Sequence, residues 1–82
     1  MINITNIDSN AIETINVDDT TSVVGITYRS SGKEYNYTLN GITVEEFVTN
    51  VQNVIENNQS LGRFVNKAIR EDQTLQIMAV WT

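Results

Sequence analysis

The sequence predicts an α+β fold, a small antiparallel β-sheet packed on one face by two helices in the order β-β-β-α-α-β. Three observations carry this. Val24, Ile26 and Tyr28 alternate with smaller or polar residues, and Tyr35, Tyr37 and Leu39 do the same after Ser31-Gly32, the pattern of a β-hairpin. Val44, Phe47, Val48, Val51, Val54 and Ile55 recur at the i, i+3, i+4, i+7 spacing of a one-sided helix. Leu61, Phe64, Val65, Ala68 and Ile69 repeat that spacing in a second segment.

In chain order, Ile2 and Ile4 are able to begin a short edge strand, and Ala11–Val17 reads as a strand. Asp18-Asp19-Thr20-Thr21 is a turn, because short polar side chains bond their own backbone there. A two-residue loop at Ser31-Gly32 sets Arg29 against Glu34, Tyr28 against Tyr35, Ile26 against Tyr37 and Val24 against Leu39. The apolar residues then share one face, and a slip of one residue would destroy that segregation. Serine fits a positive-φ turn position poorly, so a longer loop through Ser30–Lys33 is the alternative. Asn40-Gly41 ends the second arm.

Thr43 is a good N-cap for the first helix, and Glu46 three residues on completes a capping box. Asn57-Asn58-Gln59 ends that helix and Ser60 caps the second. Gly62, which lowers helix propensity by roughly 1 kcal/mol against alanine, is explained if another segment packs closely there. Leu75, Ile77, Ala79 and Trp81 alternate in a final strand spanning 75–81.

The 82 residues make one domain, 1–82, and a chain this short buries only ~60% of the surface its unfolded form exposes. It contains no cysteine and no histidine, which removes disulfides, thiolate sites, the commonest metal ligand and the usual general base. Asp18/Asp19 and Glu45/Glu46 are the carboxylate pairs worth weighing as a metal or acid/base site, and both sit where turn and helix-start structure explains them. No nucleophile–base pair or glycine-rich phosphate loop occurs. The expectation is a non-enzyme with no cofactor and no metal. The net charge of −5 disfavours non-specific DNA and anionic membranes as partners. The beginning of the chain lacks the basic head and apolar run of a secretory signal, and no stretch is apolar enough to span a bilayer, so a cytoplasmic location is expected. Asparagine-rich, isoleucine-rich composition points to an AT-rich genome.

Five short motifs in order give a resemblance. Ser9-Asn10-Ala11-Ile12 is followed by a strand and acidic turn at Ile15–Thr20, then by Gly32 with Tyr35-Asn36-Tyr37. Ser60-Leu61-Gly62-Arg63-Phe64-Val65-Asn66 and Ile69-Arg70 complete the set. Over residues 8–72 the chain resembles the KTSC domain, a module found at the carboxyl end of some lysyl-tRNA synthetases and as free-standing bacterial and phage proteins. Gly41-Ile42 stands where the family has Val-Pro, the loop between the helices is longer, and Leu75–Trp81 extends past the usual end. The resemblance implies a free-standing accessory or binding module, bacterial or phage in source, and its link to the synthetases implies RNA as one partner class.

Two features stand out as candidate binding residues. Arg63, Lys67 and Arg70 fall at i, i+4 and i+7 on the second helix, with Asn66 beside them, a stripe suited to phosphates or an acidic partner. Against that stands an ordinary solvated helix face, with Lys67 paired to Glu71. Tyr28, Tyr35 and Tyr37, with Arg29 and Lys33 as further candidate binding residues on the same hairpin, could stack bases, but the apolar face the tyrosines share with Val24, Ile26 and Leu39 favours their packing in the core. Protein binding is therefore the first expectation, RNA binding through Arg63, Lys67, Arg70 and the tyrosines the second. Homo-oligomerisation through Ile77, Met78 and Trp81 on the last strand is the third, and against it stands the favoured alternative that this strand completes its own sheet with Trp81 closing the core.

Overall fold

The computed structural model describes residues 2–5 and 7–77. It holds five strands and two helices: β1 (Ile2–Ile4), β2 (Ile12–Asp18), β3 (Val23–Tyr28), β4 (Glu34–Leu39), α1 (Val44–Glu56), α2 (Leu61–Arg70) and β5 (Leu75–Ile77). The predicted α+β architecture is present, and the optional edge strand at the start is formed. The strands lie in the order β1-β2-β3-β4-β5 with every neighbouring pair antiparallel. The helix pair lies between β4 and β5 in sequence and packs on one face of the sheet.

The hairpin keeps the predicted faces but not the predicted register. Ile26 opposes Tyr35, Val24 opposes Tyr37 and Thr27 opposes Glu34. The slip is two residues, so each side chain stays on its face. Its cause lies in the loop. β3 stops at Tyr28, whose N–H donates to the Lys33 carbonyl (3.1 Å) and whose carbonyl accepts from Gly32 N–H (2.8 Å). Arg29–Gly32 therefore form a four-residue loop, closed by Gly32 at φ 67°, a conformation that favours glycine. Arg29 does not face Glu34. Its N–H donates to Ala11 O (2.9 Å), and its guanidinium donates to the carbonyls of Ser9 (2.9 Å) and Ile12 (3.4 Å).

β2 holds a second departure from simple alternation. Ile12, Ile15 and Val17 are all buried although Ile12 and Ile15 are three apart. The pairing with β3 is irregular between Ile12 and Thr14, so Glu13 is an extra, exposed residue in a β-bulge. A bulge re-aims the strand, and here it turns both isoleucines inward.

The core is a single layer between sheet and helices. Ile4, Ile15, Val17, Val24, Ile26, Tyr37 and Leu75 meet Phe47, Val51, Val54, Leu61, Val65 and Ala68. Phe47 is the largest fully buried side chain, and burying one phenylalanine contributes about 1.5–3 kcal/mol. Thr43 Oγ1 accepts from Glu46 N–H (3.1 Å). The return contact of the capping box is side chain to side chain, with Thr43 Oγ1 donating to Glu46 Oε1 (3.4 Å). α1 ends in a Schellman arrangement: Asn58 sits at φ 54°, Asn58 N–H donates to Ile55 O, and Gln59 N–H donates to Val54 O. Ser60 Oγ accepts from Arg63 N–H (3.2 Å) and caps α2. The expectation for Gly62 holds, since a Cβ there would stand 3.2 Å from the Ala11 Cβ.

Candidate functional site

The cationic residues predicted on α2 are all exposed: Arg63, Lys67 and Arg70, with Asn66 exposed between them. Arg63 and Lys67 border a shallow groove of about 390 Å³ whose other walls are Val54, Gln59, Ser60 and Phe64. α1 contributes Val54 and α2 contributes Phe64, so the floor is apolar and the rim cationic. Phe64 stays half-buried because its ring leans on Phe47, with centroids 6.2 Å apart. The ion pair at Lys67 forms with Asp72 (3.9 Å) rather than with Glu71. At 63% and 49% side-chain exposure, that pair is worth at most ~1 kcal/mol and leaves Lys67 available to a partner. Lys67 and Arg70 also occupy the last turn of α2, where positive charge complements the helix dipole.

The tyrosines are not part of this groove. Tyr37 is 5% exposed and belongs to the core. Its hydroxyl shares a hydrogen bond with the Tyr28 hydroxyl at 2.8 Å, and Tyr28 meets Tyr35 edge to face with ring centroids 5.5 Å apart. Burial, followed by the bond to Tyr37, pushes the Tyr28 ionisation up. Tyr35, near the hairpin loop, is 40% exposed. The core packing expected for these rings therefore holds for Tyr37 and in part for Tyr28, while Tyr35 reaches solvent. Of the two loop cations, Arg29 is held by backbone carbonyls and Lys33 is exposed.

The Asp18 carboxylate serves the backbone. Asp18 Oδ1 accepts from Thr20 N–H (2.9 Å) and Thr21 N–H (3.3 Å), and these bonds lower its pKa. Among the described residues no group of three or more Asp or Glu side chains is placed to hold a metal ion. Among the same residues, no helix is long and apolar enough to cross a membrane. Ile77, the first of the three interface candidates, is 64% exposed at the end of β5. Met78 and Trp81 lie outside the described residues.

The groove floor was not legible in the sequence as a site. Phe64 and Val54 have core periodicity, and only the packing of α1 against α2 shows that their outer edges line a surface. The opposite face of the sheet was likewise not singled out. There Asn3, Asn16, Gly25 and Asn36 stand in one row across four strands. Asn16 Nδ2 donates to Glu34 Oε2 at 3.0 Å, directly over Gly25, where a Cβ would come within 2.8 Å of that oxygen. No family model, no curated protein and no solved structure matches this chain.

Proposed function

We propose that the protein is a small non-catalytic binding module, of the free-standing KTSC type its motifs resemble, that takes a protein partner on the helical side. The observation that carries this is the groove between α1 and α2, with Phe64 and Val54 on its floor and Arg63 and Lys67 on its rim. An apolar floor receives an aliphatic or aromatic anchor, and two unburied cations receive carboxylates beside it. The partner class this fits is an acidic protein segment with an apolar anchor. Cations on an otherwise acidic chain also orient such a partner during encounter.

RNA binding is the second reading. It draws on the same Arg63, Lys67 and Arg70, but with Tyr37 enclosed and Tyr28 hydrogen-bonded to it, only Tyr35 is left as an exposed stacking surface. The two readings separate in one experiment. The tagged chain and an Arg63→Glu/Lys67→Glu variant, both checked for native circular dichroism, are used to capture partners from bacterial lysate with and without nuclease. A defined protein retained after nuclease and lost with the double variant is the expected result. Capture that vanishes with nuclease would replace it with RNA binding, and capture unchanged by the double variant would remove the groove from the reading.

A further inference from the structure

We infer that Asn40 is a site of spontaneous deamidation and isoaspartate formation, a chemical modification built into the β4–α1 turn. The reaction is attack of the Gly41 backbone nitrogen on the Asn40 side-chain carbonyl carbon. A C–N bond forms, the side-chain amide leaves as ammonia carrying the Gly41 N–H proton, and a five-membered succinimide results. Water then opens either imide bond, giving aspartate or isoaspartate at position 40.

Three features of the turn favour that attack. Asn40 is exposed and so is Gly41. Gly41 carries no Cβ, so no side chain on the attacking residue crowds its nitrogen as the ring closes. The Gly41 N–H has no hydrogen-bond acceptor among the described residues, so its nitrogen is not tied into the backbone.

Every other asparagine is followed by a residue that carries a Cβ, and several differ further. The amides that follow Asn57 and Asn58 donate to Ile55 O (3.2 Å) and Val54 O (3.0 Å), and the one that follows Asn10 donates to Ser9 Oγ (3.1 Å). Asn16 precedes a β-branched valine within the sheet, where the flanking side chain crowds the nucleophile.

The position gives the modification a consequence. Asn40 N–H donates to Thr74 O (2.9 Å), next to the Leu39–Leu75 pair that joins β4 to β5. Isoaspartate lengthens the main chain by one carbon at the point where it leaves the sheet for the Thr43 cap. Either product adds a negative charge.

The test is incubation of the full chain at mildly alkaline pH and physiological temperature, folded and in urea, followed by peptide mapping with fragmentation that separates isoaspartate from aspartate. In the folded chain, Asn40 is expected to convert several-fold faster than any other asparagine, with isoaspartate in excess, and the Asn40→Gln variant to show no conversion there. Conversion in urea with Asn40 intact in the folded chain would overturn the inference, because the turn would then be protecting the site. So would aspartate without isoaspartate, which marks direct hydrolysis, or equal rates at Asn40 and Asn58.

Discussion

The two faces of the sheet are made from alternate residues of the same strands, and they solve opposite problems. On the inner face Ile15, Val17, Val24 and Ile26 are wholly removed from solvent beneath Phe47, Val51 and Val65. On the outer face the intervening residues are Asn16, Gly25, Thr27 and Asn36, and Asn16 bonds the charged Glu34 across strands. The inner face is where volume matters, because a packed interior does not relax fully around a missing group. On the outer face main-chain pairing and solvation dominate, and volume matters at Gly25, over which Glu34 lies.

Phe47→Ala tests this most severely. Truncating a fully buried phenylalanine removes about 3–5 kcal/mol, and in a domain this small the urea transition should shift far toward zero or vanish. Asn36→Ala on the outer face should stay within about 0.5 kcal/mol of the parent. Comparable midpoints for the two variants would show that the faces are not distinct.

A second variant acts where α2 meets the chain before β2. Gly62→Val forces a side chain against Ala11 and should destabilise by about 1–3 kcal/mol. Ala11→Gly in the same chain should recover part of that loss. Additive effects in a double-mutant cycle would mean that the two residues are not in contact.

Smaller effects come from the polar groups at the core's edge. Tyr37→Phe leaves the Tyr28 hydroxyl without its partner and should lower stability by about 1 kcal/mol, read from urea midpoints. Tyr28 also gives the inner face an alkaline limit. Its folded-state ionisation is raised above the ordinary value of 10.0, so the stability gained by keeping it neutral is complete below pH 10.0. That stability is lost as pH climbs through the raised folded value. Tyr28→Phe should flatten that alkaline decline in midpoint, and an unchanged decline would place its origin elsewhere.

The smallest expected effect lies at the turn between β2 and β3. Asp18 has a lowered pKa because it accepts the Thr20 and Thr21 amides, so its contribution is present above the unfolded aspartate value and fades as pH falls through the folded one. Asp18→Asn should blunt that acid loss slightly, leaving most of the acid sensitivity in place.

Particular residues show what could be read in advance. The two helix faces, the caps at Thr43 and Ser60, the turn glycines and the segregation of Val24, Ile26 and Tyr37 from their neighbours follow from periodicity and side-chain chemistry, which act over a few residues. The hairpin register is not fixed by the segregation of faces, because a shift of two residues leaves every face unchanged. The Arg29–Gly32 loop sets it, with Arg29 leaving the strand to bond the carbonyls of Ser9, Ala11 and Ile12. The bulge at Glu13 escaped for a related reason, since its signal is only an apolar spacing of three inside a run of two. The stripe Arg63, Lys67, Arg70 was visible as charge, while its apolar neighbour Phe64 looked like core until α1 was set beside it.

The chain's own chemistry, taken locally, determined which segments become strands and helices, which sides of them avoid water, and where each helix begins. Tertiary structure alone decided which residues face one another across strands, how far each tyrosine is enclosed, and that a cationic rim borders an apolar floor. Those are relations between residues far apart in sequence, set by which packing removes the most apolar surface from water while leaving backbone groups bonded.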